Sequence, residues 1–169
     1  MIFIFYLFVF VIVMGVYNFI YVDESGIHKP LVRERGWSRR GVKIHGTRPG
    51  RKFDRTNIIA GLLGKKHIAV KTYKNRTNSA FFENWFEWDL LCEVPEFSVI
   101  VMDNASFHRK EKLQKIADKY GVFLLFLPPY SPDFNPIEKS WANLKKWLRK
   151  NLKNFPSLDL AIYHYFGVF

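Results

Sequence analysis

A chain of 169 residues has room for one good core, and its 49% apolar and 18% aromatic content excludes an intrinsically disordered protein. Lys+Arg number 26 against 15 Asp+Glu, a net charge of +11, which points to a polyanionic partner such as nucleic acid or an anionic membrane surface. The single cysteine, Cys92, forbids an intramolecular disulfide, lacks a partner for a zinc site, and is assigned to packing in a reducing compartment.

Met1 to Val22 carries no charged residue, and its length alone allows a membrane span. It has neither the basic n-region nor the small-residue cleavage site of a secretory signal. If Tyr17 to Val22 form a strand, only Met1 to Val16 remain. As a helix these would reach roughly 24 Å, short of the ~30 Å hydrocarbon core. Residues 1–16 are therefore read as an atypical apolar segment, from a misread start or damaged frame ahead of a membrane segment. Residues 17–169 are read as one domain, without repeats or low-complexity linkers.

The first expected strand, Asn18-Phe-Ile-Tyr-Val-Asp23-Glu-Ser-Gly26, ends in an aspartate, with Gly26 marking a turn. Lys29 to Arg55 holds ten Lys/Arg and two acids, punctuated by glycines, and reads as a hairpin and loops. Arg55 to Gly64 and His67 to Tyr73 form a second antiparallel pair. Asn78 to Cys92 places Phe81, Phe82, Trp85, Phe86 and Leu90 at helical spacing, an amphipathic helix broken by Pro95. Phe97 to Met102 is a buried strand ending at Asp103. Lys110 to Tyr120 is a helix stopped by Gly121, and Val122 to Leu127 a further buried strand. After the proline-rich loop Leu127-Pro-Pro-Tyr-Ser-Pro-Asp-Phe-Asn-Pro-Ile-Glu138, a helix runs from Pro136 to about Leu152. Antiparallel strands followed by strand-helix-strand-helix describe an α/β layered domain with a mixed central sheet.

Three carboxylates on separate elements of a basic chain suggest a divalent metal acting on a polyanion. Asp103 follows four apolar residues and precedes Asn104, Ser106 and His108. It reads equally as a turn or cap aspartate, or as a ligand beyond the carboxyl end of a strand. Asp23 has the same placement and the same two readings. Asn135-Pro136-Ile137-Glu138 reads as N-cap to N3, so Glu138 completes a capping box or, held in the first helical turn, offers a rigid ionised ligand. His108, five residues past Asp103, is given an accessory role, and Asn104 and Asn135 are grouped with it. His28, His45, His67 and His164 show no metal-ligand spacing and are assigned to structure or surface.

The cations fall into two groups. Lys139, Lys145, Lys146, Arg149, Lys150 and Lys153 surround the last helix, whose apolar face is Ile137, Trp141, Leu144 and Leu148. They read as a solvated face or as a track for a phosphate backbone. Arg39, Arg40, Lys43, Arg48, Arg51 and Lys52 in the glycine-punctuated loops offer a second DNA-contacting group, with Trp37 available for stacking.

Asp23-Glu-Ser-Gly, Met102-Asp-Asn-Ala-Ser-Phe-His108 and the long Leu127–Glu138 block together resemble the signature blocks of DDE transposases, specifically the bacterial insertion-sequence branch of the mariner superfamily. The resemblance covers about Tyr17 to Phe166. It implies an RNase H-like fold, with Asp23, Asp103 and Glu138 as the catalytic, metal-binding triad. It further implies two Mg²⁺ ions about 4 Å apart, with Mn²⁺ as a substitute, Asp23 bridging them and Asp103 and Glu138 holding one each. The implied reaction is hydrolysis at an element's end, then attack of the freed 3′-hydroxyl on target DNA. The implied partners are double-stranded DNA and further copies of the chain, as a homodimer or higher assembly on DNA, in the bacterial cytoplasm at the nucleoid. Such transposases usually carry an N-terminal helix-turn-helix region, so the chain reads as a truncated copy or the second half of a split gene. An RNase H-like nuclease without strand transfer, and a non-catalytic DNA-binding remnant, are the alternatives. A membrane-anchored basic protein is the third rival.

Overall fold

The computed structural model describes residues 18–28, 39–41, 55–128 and 131–168. Its framework is a five-stranded mixed sheet in the order β3-β2-β1-β4-β5. The strands are β1 (Asn18–His28), β2 (Arg55–Leu63), β3 (Lys66–Tyr73), β4 (Ser98–Met102) and β5 (Phe123–Phe126). β1, β2 and β3 pair antiparallel, while β4 joins β1 and β5 joins β4 in parallel. The expected α/β layering with a mixed sheet is therefore what the chain adopts.

Alternation along β1 sorts its side chains between two cores. Ile20 and Val22 face a layer built from α1 (Ser79–Asn84) and its π-helical continuation Trp85–Leu90, together with α2 (Lys110–Lys119). Tyr21 and Ile27 face the opposite layer, formed by α3 (Ile137–Asn151) and α4 (Leu158–Phe166). β4 is divided in the same way, Ile100 and Met102 to the first layer, Val99 and Val101 to the second face.

The amphipathic segment starts where its spacing predicts: the Asn78 side chain caps α1 by accepting from the Phe81 N–H at 2.9 Å. Beyond Asn84 the helix widens, and the Leu91 N–H donates to the Phe86 carbonyl at 3.0 Å, five residues back. The wider turn leaves Trp85, Phe86 and Leu90 all buried. Trp85 Nε1 donates to the carbonyl of Ala69 at 2.8 Å, and the Ala69 N–H donates to Glu93 Oε1 at 3.0 Å. Those two bonds hold Ala69 at φ 51°, where the β2–β3 register shifts. Gly61, paired with Ile68, borders the bulge; a Cβ there would stand 2.8 Å from Leu90 Cδ1 and 3.0 Å from Ile20 Cγ2.

Four expectations change. β1 does not stop at Asp23, because pairing with β2 continues through Gly26↔Asn57 to His28↔Arg55, so Gly26 is inside the strand and no turn. β5 is half-buried along its whole length, since β4 is its one neighbour in the sheet. Cys92 is exposed, past the end of the buried π-turn, and does no packing. The capping box at Asn135–Glu138 does not form: α3 begins at Ile137 with no side-chain cap, the Asn135 Nδ2 donating to β1 while its Oδ1 has no hydrogen-bond partner.

Gly121, at φ 65°, stops α2 as expected, and the Val122 N–H reaches back to the Ala117 carbonyl at 3.1 Å. Residues 1–17, most of the Lys29–Asp54 stretch and Pro129–Tyr130 lie outside the described residues. Among the described residues no helix is long and apolar enough to cross a membrane.

Candidate active site

Asp23 sits midway along the central strand, paired to Ala60 on the β2 side. On its other side β1 pairs with β4 only from Asn18 to Tyr21, where Tyr21 meets Val101. Two residues past that pair come Asp23, still inside β1, and Asp103, just beyond the end of β4. Both aspartates thus lie at the end of the sheet where β1 continues after β4 has ended.

The Asp23 carboxyl lies beneath α3. Trp141 Nε1, itself buried, donates to Asp23 Oδ2 at 2.9 Å. Burial, then the neighbouring charges of Glu138 and Glu24, push the Asp23 carboxyl up to about 8, against the lowering effect of the Trp141 bond and the Glu24 backbone. Glu138 is the helix's first-turn acid and is exposed. Three residues before it, Asn135 is buried and its Nδ2 donates to the Val22 carbonyl at 3.2 Å. α3 is therefore tied to β1 at Val22 and at Asp23, with Glu138 midway between the two ties.

Asp103 follows β4 directly, and its side chain is 53% exposed. Its Oδ1 accepts from the Ala105 N–H at 3.1 Å, so the turn reading is also realised. His108 is buried, not a surface residue, its ring set against Phe82 and Phe107. His108 Nδ1 lies 3.2 Å from the Asp103 carbonyl oxygen and 3.4 Å from Asp103 Oδ1. Nε2 lies 3.9 Å from Glu24 Oε1, too far for a hydrogen bond, and neither of those two buried atoms has a hydrogen-bond partner. Asn104 is exposed beside Asp103.

Sequence reasoning missed two of these residues. Trp141 was assigned to the apolar face of α3, yet a buried indole N–H needs an acceptor, and its place one turn after Glu138 was the available signal. Glu24 was passed over as part of a turn. In a strand it points away from Asp23, towards His108.

Lys139, Lys146, Arg149, Lys150 and Lys153 are exposed and Lys145 is half-buried. The ion pairs among the described residues draw on Lys71, Lys74, His108, Arg109, Lys112 and Lys119, none of them on α3. Arg39 and Arg40 are exposed in a turn closed by Gly41, at φ 86°. Lys43, Arg48, Arg51, Lys52 and Trp37 lie outside the described residues. His67 packs against Trp141 and Phe166, a structural role, while His164 is exposed beside Trp147 and Phe155.

Among the described residues no group of three or more His, Cys, Asp or Glu stands close enough together to hold a metal ion as it is. Charge balance and donor chemistry nevertheless fit a hard divalent cation. Asp23 is buried among carboxylates whose repulsion raises it, and all three candidate side chains offer oxygen.

Residues 18–159 match the model of the family described as DDE superfamily endonuclease. An uncharacterized protein, y4pE/y4sA of Sinorhizobium fredii (strain NBRC 101917 / NGR234), is 35% identical over 68 residues, 40% of this chain and 47% of that protein. The Tc3 transposase of Caenorhabditis elegans is 26% identical over 98 residues, 56% of this chain and 30% of that one. The structure of the Mos1 transposase paired-end complex with left transposon end aligns with a TM-score of 0.66 at 19% identity. That alignment covers 94% of this chain and 52% of that one. The Mos1 mariner paired-end complex with Mn aligns with a TM-score of 0.66 at 20% identity, over 89% of this chain and 48% of that one. The fold is the expected RNase H-like one, and the chain spans about half or less of each of these proteins.

Proposed function

The chain belongs to the DDE superfamily endonuclease family, and on that premise we propose that it is a transposase catalytic domain, cutting DNA and joining the freed 3′ end to target DNA. The observation that carries this reading is the buried carboxyl of Asp23, which feels the charge of Glu138 from α3, on a strand paired in parallel with the one that Asp103 follows. Asp23, Asp103 and Glu138 would hold divalent cations, Mg²⁺ with Mn²⁺ as a substitute. The bound cation supplies Lewis acidity for the attacking oxygen and charge neutralisation for the leaving one.

The chain's own residues have separate tasks. Asp23 would serve as a ligand in its carboxylate form. Trp141 holds one of its oxygens. His108, walled by Phe82 and Phe107, keeps the turn at Asp103 closed through the Asp103 carbonyl. Along α3, residues seven and eleven positions past Glu138 fall on nearly the same side of the helix, at about 100° per residue. These are Lys145 and Arg149, so a cationic stripe leads away from the acid and would bind successive phosphates of double-stranded DNA. Lys139 and Lys146 lie together on one side of that stripe, roughly a quarter turn away. Arg39 and Arg40, with Lys43, Arg48, Arg51 and Lys52, form the second proposed DNA-contacting group. Assembly of two or more copies on DNA belongs to the same proposal.

The test supplies a pre-cleaved DNA end with a free 3′-hydroxyl, a target plasmid and Mg²⁺. Joined product is expected. Mg²⁺-dependent nicking without joining would make the chain a nuclease of the same fold. Salt-sensitive DNA binding with neither activity would make it a DNA-binding remnant.

A further inference from the structure

The helix α3 carries three polar contributions at intervals of three residues: Asn135 just ahead of it, Glu138 in its first turn and Trp141 one turn on. The outer two are bonded to consecutive residues of β1, Asn135 to the carbonyl of Val22 and Trp141 to the carboxyl of Asp23. The fold contains its own comparison for the second bond. Trp85 is buried as fully as Trp141, and its indole N–H is satisfied by a backbone carbonyl, that of Ala69. A carbonyl is the ordinary acceptor for a buried indole. Trp141 instead meets the buried carboxyl group of Asp23.

We propose that Asn135 and Trp141 are positioning residues, a two-point clamp that sets α3 against β1 so that Glu138 faces Asp23. In this arrangement Trp141 also fixes the orientation of the Asp23 carboxyl by holding Oδ2. The bond at Oδ2 leaves Oδ1 as the oxygen not held by the indole, and Glu138, midway between the two ties, has little freedom to slide along β1. This inference rests on the metal-dependent reading above and adds to it the residues that fix the site's geometry.

Two measurements on the whole chain test it. In the first, the Mg²⁺ concentration giving half-maximal plasmid nicking is compared for wild type, Trp141→Phe and Leu144→Ala. Leu144 is buried on the same helix without a bond to Asp23, so its variant reports loosened packing alone. The midpoint should rise about 10-fold or more in Trp141→Phe, the usual effect of losing a partner that orients a ligand, and stay at the wild-type value in Leu144→Ala. The second measurement does not require Trp141→Phe to fold. The indole N–H resonances of the five tryptophans are assigned by single Trp→Phe variants at the other four positions. The Trp141 resonance should shift on Mg²⁺ addition and in Asp23→Asn, while that of Trp85 stays fixed. A wild-type Mg²⁺ response combined with an unchanged Trp141→Phe midpoint, or with an indifferent Trp141 resonance, overturns the clamp and leaves the proposed function standing. A wild-type chain with no Mg²⁺ response in either measurement overturns both.

Discussion

The side-chain amide of Asn135 donates to the main-chain carbonyl of Val22, 113 residues away in the chain, at 3.2 Å in a buried setting. Replacing the amide leaves the Val22 oxygen buried and unsatisfied, at a cost of about 1–3 kcal/mol. Asn135→Ala should lower unfolding free energy by that amount in urea titrations. Asn135→Asp should be worse, since a carboxylate cannot donate and adds charge beside Asp23. Equal stability of Asn135→Asp and wild type would remove this tie from the account.

Asp23 gives the metal-free protein a pH dependence whose sign follows from its raised carboxyl. Between the ordinary value of 3.8 and about 8, the folded chain keeps a proton that the unfolded chain has lost. Its contribution to stability is full below 3.8 and is lost as pH rises towards 8, by up to about 1.4 kcal/mol per pH unit. Melting temperatures without divalent ions should therefore fall from pH 5 to pH 8. Asp23→Asn should flatten that fall, and Mg²⁺ should restore wild-type stability at pH 8 more than at pH 5. A wild-type profile matching that of Asp23→Asn would contradict the buried carboxyl.

Gly61 lets the π-helical turn lie close to the sheet. Its missing Cβ would stand 2.8 Å from Leu90, 3.0 Å from Ile20 and 3.1 Å from Ile68, all core side chains. Gly61→Ala should cost about 1–3 kcal/mol through overpacking. Denaturant midpoints measure it, and unchanged nicking per folded molecule is expected because Gly61 is remote in role from the acids.

Lys145 and Arg149 continue the line of Glu138 along α3 and take no part in the ion pairs described above. Removing both as Lys145→Ala/Arg149→Ala should weaken duplex binding across sequences. The slope of log affinity against log salt should shrink by about 2. Binding titrations at several salt concentrations measure this. An unchanged slope would assign the helix a solvated face only.

Much of this arrangement was legible in the residues. The runs Val99–Met102 and Ile58–Leu62, the capping Asn78 and the stop at Gly121 are local signals, and local energetics decided them. Asp23 was legible as a candidate carboxylate, but its place inside a strand was not. β1 continues to His28 because β2 supplies partners on one edge, a non-local fact. Asn135 misled for a related reason: it has the chemistry of a cap, but its Nδ2 donates to a buried carbonyl on β1, and its Oδ1, the atom a cap would use, is left without a partner. The Trp141–Asp23 bond joins residues 118 apart and has no local sign beyond a buried indole needing an acceptor.

The central claim is that Asp23, Asp103 and Glu138 act together on DNA through a divalent cation. Its most direct measurement is the nicking rate of supercoiled plasmid, with Mg²⁺ and with EDTA, for wild type, Asp23→Asn, Asp103→Asn and Glu138→Gln, alongside their DNA affinities. Nicking should require Mg²⁺ and disappear in all three variants while DNA binding persists. Wild-type nicking by Asp103→Asn or Glu138→Gln in Mg²⁺ would contradict the account.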